Sequence, residues 1–231
     1  IDGAHEKLLL SVAWSPDGTK LASGSQGLIT RDGRDHGGRT LKLWDTNTWR
    51  ELPPLIGGHT FEGQGVSVHS VAWSPDGAKL ASGGGFLKIW DVSSRRELCC
   101  YNPELNGECW GASQRVSWSP DGTKLAGDVM AKVGEDYVHM VRIWNAALQE
   151  LFTFSGHQEC VQSLAWSPDG TRIASGSDDW TVQIFDSDQG AALYKIKVDR
   201  SKMYSVAWNP DGTKLAIGSA NMSIMIWSIP R

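Results

Sequence analysis

The sequence predicts an all-β protein built from five copies of one antiparallel unit, and three observations carry that prediction. Ser-Val-Ala-Trp-Ser-Pro-Asp-Gly-Thr-Lys-Leu-Ala-Ser-Gly-Ser at residues 11–25 returns in altered form from Ser70, Arg115, Ser163 and Ser205. The tryptophans of these copies, Trp14, Trp73, Trp118, Trp166 and Trp208, lie 59, 45, 48 and 42 residues apart, a period that marks a solenoid, an array or a propeller. Each copy is followed by a short alternating run: Leu41–Asp45, Leu87–Asp91, Val141–Asn145, Val182–Asp186 and Ile224–Ser228. Such runs are rich in β-branched residues and read as strands.

Each unit opens with a strand ending in the repeated Trp. The Ser-Pro-Asp-Gly that follows in four of the units, Asn209-Pro210-Asp211-Gly212 in the fifth, is a turn. Proline fixes φ, Asp suits the next position, and Gly takes the left-handed conformation that closes a hairpin with a bulge. Leu-Ala or Ile-Ala then begins the second strand, and the alternating run is the third. A fourth, weaker strand is marked by Glu51-Leu52, Glu97-Leu98, Glu150-Leu151 and Ala192-Leu193. Four antiparallel strands per repeat make a propeller blade. The expected organisation is one domain, residues 1–231, with repeats of approximately 1–58, 59–106, 107–156, 157–198 and 199–231. The fifth has room for three strands or a vestigial fourth. A five-membered ring is the expectation, with a piece of a longer propeller and a piece that pairs with another copy as the alternatives.

These repeats resemble the WD-repeat β-propeller family, named for the Trp-Asp dipeptide kept at Trp44-Asp45 and Trp90-Asp91. The resemblance covers essentially the whole chain, and the Ser-Pro-Asp-Gly style suggests bacterial members. It implies a structural hydrogen-bonded network of a Gly-His before the first strand, a Ser on the second, an Asp in the next turn and the Trp of the third. By spacing, Gly156-His157, Ser175 and Asp179 occupy these positions in the fourth unit, with Phe185 in place of the Trp. Phenylalanine has no N–H to donate. His5 precedes Trp14 as His157 precedes Trp166, and Trp44, Trp90, Trp144 and Trp227 hold the indole position. These groups are expected to be structural, with blade stacking through aromatics supplying most of the stability.

Composition narrows the function. Lys plus Arg number 22 against 26 Asp plus Glu, for a net charge of -4, so no overall positive field draws the chain to nucleic acid or an anionic membrane. No apolar run approaches the roughly 20 residues that span a bilayer, and Ile1–His5 has no leader character. A soluble, mature, cytoplasmic monomer is expected. Cys99, Cys100, Cys109 and Cys160 show no C-x-x-C spacing and read as free thiols. Asp32, Asp35 and His36 could chelate a cation but meet no complete ligand spacing, so neither metal nor cofactor is expected. No G-x-S-x-G, phosphate-binding Gly-rich loop or H-E-x-x-H occurs, which argues against an enzyme.

Loop lengths say where binding belongs. The first turn never varies, and the third-strand aromatic lies 8, 8, 7 and 8 residues from the fourth-strand Leu. The Trp-to-aromatic distance, by contrast, is 30 in unit one and 26 in unit three against 17, 19 and 19 elsewhere. The link from each third-strand aromatic to the next Trp varies too, at 29, 28, 22 and 23; antiparallel strands put both variable loop classes on one face, and variable loops on a rigid scaffold collect binding residues. The candidate partner-binding residues there are Arg31, Arg34, His36, Trp110, Tyr137, Glu159, Trp180, Arg200 and Lys202. Exposed Trp is an enriched interface anchor. The expected function is a non-enzymatic scaffold binding a protein or peptide, with a small-molecule or carbohydrate-binding, lectin-like propeller as the alternative.

Overall fold

Every repeat forms its own antiparallel sheet in the computed structural model, which describes residues 4–27, 40–56, 60–61, 64–102, 115–133, 135–198 and 201–230. The first sheet holds β1 (Leu9–Trp14), β2 (Lys20–Ser25) and β3 (Leu41–Asp45), and β4 (Thr60–Phe61) with β5 (Gln64–Gly65) forms a small separate hairpin. The second sheet holds β6 (Val68–Trp73), β7 (Lys79–Gly84), β8 (Leu87–Asp91) and β9 (Arg96–Tyr101); the third β10 (Val116–Trp118), β11 (Lys124–Val133), β12 (Asp136–Asn145) and β13 (Glu150–His157). The fourth holds β14 (Val161–Trp166), β15 (Arg172–Ser177), β16 (Thr181–Asp186) and β17 (Ala192–Lys197), and the fifth β18 (Met203–Trp208), β19 (Lys214–Ser219) and β20 (Ile224–Ser228). No helix occurs among the described residues. The sheets group into two compact units, Ile1–Val116 and Ser117–Arg231.

The repeated turn forms as its chemistry requires. In the first sheet Gly18 N donates to Ser15 O at 2.9 Å, Ser15 N to Lys20 O at 2.8 Å, and the glycine sits at φ 70. Asp17 accepts from the Ser15 hydroxyl at 2.5 Å and from Thr19 N at 3.0 Å. The same pattern recurs at Asp76, Asp121 and Asp169. Donors converging on each carboxylate hold it below its ordinary pKa, Asp121 at about 2 through Ser119 and Thr123.

One strand expectation is corrected. Glu51-Leu52 does not continue as a fourth strand: Glu51 makes a single bridge to Trp44, and Pro53 and Pro54 end the pairing because neither has an N–H for the ladder. In the third unit the long Trp-to-aromatic spacing is extended sheet. β11 and β12 run ten residues each, in register from Lys124↔Asn145 to Val133↔Asp136.

Within each unit the cores lie between successive sheets. Leu41 and Leu43 pack with Val68, Val71 and Trp73 in the first unit. In the second, Val141, Ile143 and Phe154 pack with Val161, Trp166 and Phe185, while Val182 and Ile184 pack with Met203 and Val206. Small residues permit the approach: a Cβ on Gly24 would lie 2.6 Å from Val68 Cγ1, and one on Gly176 3.1 Å from Met203 Cβ. Polar bonds set the register of sheet on sheet. Trp73 Nε1 donates to Ala13 O at 2.9 Å, Trp166 Nε1 to Ser117 O at 2.9 Å and Trp208 Nε1 to Ala165 O at 3.0 Å.

Candidate binding surface

The variable-loop end of the fourth sheet lies opposite its Ser-Pro-Asp-Gly turn, and four segments meet there: residues 157–160 before β14, the 178–180 turn, the end of β17 and the approach to β18. A buried network anchors them. His157 Nδ1 lies 3.0 Å from Asp179 Oδ2 and its Nε2 2.7 Å from Ser175 Oγ. Asp179 also accepts from Gln158 N at 3.0 Å, Thr181 N at 2.9 Å and Thr181 Oγ1 at 2.6 Å. Burial opposes ionisation of Asp179, yet hydrogen bonds from His157 and Thr181 hold its carboxyl far below the usual range.

The order Ser175–His157–Asp179 matches that of a nucleophilic triad, but the serine is sealed. Ser175 has 0% exposure and His157 5%, and a nucleophile must reach its substrate. This arrangement holds loops in place. The first sheet uses the same device: Ser23 Oγ lies 2.7 Å from His5 Nε2 and accepts from Trp44 Nε1 at 2.8 Å, as Ser82 Oγ accepts from Trp90 Nε1. Phe185 instead stacks on Phe154, centroids 4.3 Å apart. Trp144 is fully buried on β12, where Gly127 of β11 occupies the serine position. Trp227 does not join such a network: Ile217 stands where the first, second and fourth sheets have serine, and the residue is 43% exposed.

Above the anchored turn lies an open cleft of about 580 Å³, lined by Glu159, Asp178, Trp180, Lys195, Lys197 and Lys202 among others. Trp180 is 40% exposed at φ 66, and its carbonyl accepts from Val198 N at 2.9 Å. The left-handed conformation belongs to the turn itself, since Met222 takes φ 64 at the same position of the fifth sheet. The indole is what the fourth sheet adds. Lys202 Nζ pairs with Asp178 Oδ2 at 3.0 Å, and that carboxylate raises the Lys202 pKa. Gln162 Nε2 donates to the same oxygen, while Asp178 Oδ1 is buried without a hydrogen-bond partner among the described residues.

Of the residues nominated from sequence, the structure brings together Glu159, Trp180 and Lys202. Tyr137 sits apart from this cleft, at the tip of the β11–β12 hairpin and 50% exposed. Arg31, Arg34, His36, Trp110 and Arg200 lie outside the described residues, as do Asp32 and Asp35. Sequence reasoning missed Asp178, Lys195 and Lys197. The two lysines alternate on β17, so period-2 counting could have put them on one face. Burial pushes the Cys99 thiol up to about 11 and raises Cys100 and Cys160 as well, which leaves these thiols poor nucleophiles near neutral pH.

Repeated three- and four-stranded antiparallel sheets, stacked through tryptophans and tied by Ser, His, Asp and Trp bonds, define a propeller-type repeat protein. The family model of the WD domain, G-beta repeat, matches residues 3–45, 58–91, 148–186 and 192–228, and the chain belongs to this WD40 family. The first three strands of the third sheet lie in the segment between the second and third matches.

The chain is similar to the nuclear distribution protein PAC1 of Arthroderma benhamiae, 26% identical over 216 residues, which covers 87% of this chain and 44% of the relative. It is also similar to WD repeat-containing protein 1 of Gallus gallus, 30% over 100 residues (42% of this chain, 14% of the relative). A third relative is the probable cytosolic iron-sulfur protein assembly protein 1 of Eremothecium gossypii, 41% over 85 residues (35% and 21%). The chain thus spans less than half the length of these curated relatives. All three are eukaryotic and lend no support to the bacterial style read from the turns.

Proposed function

We propose that this chain is a non-enzymatic scaffold that binds a protein or peptide through the variable-loop end of its fourth sheet. WD40 membership and relatives whose names place them in nuclear distribution and iron-sulfur protein assembly support the scaffold class. One observation carries the site: a half-exposed indole, Trp180, is held over a charged cleft by a turn anchored through the buried side chains of His157, Asp179 and Thr181. A rigid aromatic loses little side-chain entropy on binding and excludes water from neighbouring ion pairs. Lys197, with Lys202 and Glu159, supplies the polar rim around it. A cytoplasmic location fits the free thiols, and no helix among the described residues is long and apolar enough to cross a membrane.

Affinity capture with the intact chain and with Trp180→Ala tests the site. The alanine variant is expected to lose partner affinity by more than about 2 kcal/mol with an unchanged melting temperature. A captured partner that binds the variant normally, or that cross-links to the Ser-Pro-Asp-Gly end, overturns the reading. Binding of a simple sugar in the cleft with no protein captured would favour the lectin-like alternative.

A further inference from the structure

The first three sheets neutralise the charge on their third strand, and the fourth does not. Lys42 pairs with Glu51 at 3.1 Å, Lys88 with Glu97 at 2.8 Å and Arg142 with Glu150 at 3.2 Å. Each base stands two residues before its strand's tryptophan, and each acid lies across from that tryptophan. In the fourth sheet both members are exchanged: Gln183 stands at the position of the base, and Ala192, across from Phe185, at that of the acid. Charge appears further along β17 instead. Lys195 lies across from Gln183, where the second and third sheets have Cys100 and Thr153, and Lys197 across from Thr181, where the third has Ser155.

The buried network accounts for the glutamine but not for the lysines. Gln183 is 4% exposed, its Nε2 lies 3.3 Å from His157 Nδ1, and a Cβ on Gly156 would already be 3.0 Å from its Oε1. Lys195 and Lys197 are exposed and line the cleft beside Trp180. Lys195 Nζ donates to Gly156 O, a neutral carbonyl, at 3.0 Å, and Lys197 has no hydrogen bond or ion pair among the described residues. The carboxylates of the cleft are committed elsewhere. Asp179 accepts from Thr181 and bonds His157, Asp178 accepts from Lys202 and Gln162, and Glu159 acts on the Lys202 side, where its charge helps raise the Lys202 pKa. The cleft therefore has a balanced end at Lys202 and an end with two uncompensated ammonium groups on β17.

We infer that this end of the cleft takes an extended acidic peptide, with two carboxylate side chains at alternate positions on Lys195 and Lys197 and an apolar side chain two residues further on against Trp180. The inference rests on the reading of the fourth-sheet cleft as a protein-binding surface and adds the chemistry of the partner. Spacing supplies the match. Alternate residues of β17 lie about 6.8 Å apart, as do alternate side chains of any extended peptide, so two charge-assisted hydrogen bonds form without bending either chain. Trp180 O accepts from Val198 N, which sets the indole one step past Lys197, where the next side chain on that face arrives. A nucleic acid fits less well: two lysines make a short strip, while Glu159, Asp178 and a net charge of -4 repel a longer polyanion.

Fluorescence anisotropy of a labelled Glu-Ser-Glu-Ser-Leu peptide on the full chain provides the test, beside counterparts with glutamine or with lysine in place of both glutamates. The acidic peptide is expected to bind at least about 10-fold tighter than the glutamine peptide, the lysine peptide weakest of the three, and the preference should shrink as salt is raised. Lys195→Gln combined with Lys197→Gln should abolish the preference and leave binding of the glutamine peptide unchanged. Lys197→Glu should move the preference toward the lysine peptide. Melting curves of these variants should match the parent, since both side chains are exposed. Equal binding of the three peptides, a preference that survives the double variant, tighter binding of an oligothymidylate, or no binding of the acidic peptide at about 1 mM protein would each overturn the inference. The binding surface itself is judged separately, because a protein captured by the parent and lost by Trp180→Ala supports it whichever peptide is preferred.

Discussion

The fourth and fifth sheets share the pattern of their first three strands 42 residues apart, yet within their compact unit the fourth packs against a sheet on each side and the fifth against one. In the fourth, Val182, Ile184 and Phe185 have at most 1% exposure; in the fifth, Ile224, Ile226 and Trp227 have at least 43%. Strand, turn and register are alike: Arg172↔Asp186 and Lys214↔Ser228 begin equivalent ladders. A strand of this repeat therefore forms from its own alternation and turn chemistry, while the energy of burying its apolar side comes from the neighbouring sheet.

That contrast is open to direct attack. Trp166 is packed between the third and fourth sheets, 8% exposed, and Trp166→Ala should cost about 3–5 kcal/mol through lost transfer energy and a cavity. Ile184→Ala should cost about 2–4 kcal/mol, and Ile226→Ala less than about 1 kcal/mol. Urea midpoints read all three. Equal costs at Ile184 and Ile226 would mean that both faces are covered in solution.

His157→Ala comes next, at about 2 kcal/mol, because it leaves the buried Ser175 hydroxyl and Asp179 carboxylate without their shared partner. The fifth sheet offers no equivalent loss, since Ile217 replaces the serine. The same network predicts a pH dependence. The folded pKa of Asp179 is depressed, so its stabilising contribution is fully present above the unfolded value near 4 and is lost as pH falls below it. Asp179→Asn should flatten the acid limb of a stability profile between about pH 4 and 2. An unchanged limb would assign acid sensitivity to other carboxylates.

The smallest difference is expected at the repeated turns. Asp169 and Asp211 each accept the backbone N–H two residues on, Thr171 at 3.1 Å and Thr213 at 2.9 Å. Alanine at either should cost about 1 kcal/mol, equally in the two sheets and without effect on partner binding. An unequal pair of melting shifts would show that the turn, too, depends on what its sheet is packed against.

Much of this was legible in the chain. The Trp spacing and Ser-Pro-Asp-Gly turns identified the sheets and hairpins because such turns are local: φ at Pro and Gly, and the Asp side chain two residues from its donor, need no distant contact. The His157, Ser175 and Asp179 constellation was readable through the repeat, which converts spacing into proximity. Glu51-Leu52 misled because a strand signal was weighed without the two prolines after it.

What the sequence determined by itself is the unit: its strands, its turns, its buried alternation and the residues that bond across it, all set by interactions within about 40 residues. Only the tertiary structure decided the environment of each copy. It showed Trp14 and Trp227 exposed where identical residues in other sheets are buried, and it gathered Trp180, Lys197 and Lys202 from three strands' ends into one cleft. The physical reason is that burial is a property of the neighbour, and a repeat cannot encode in its own residues whether another repeat will lie against it.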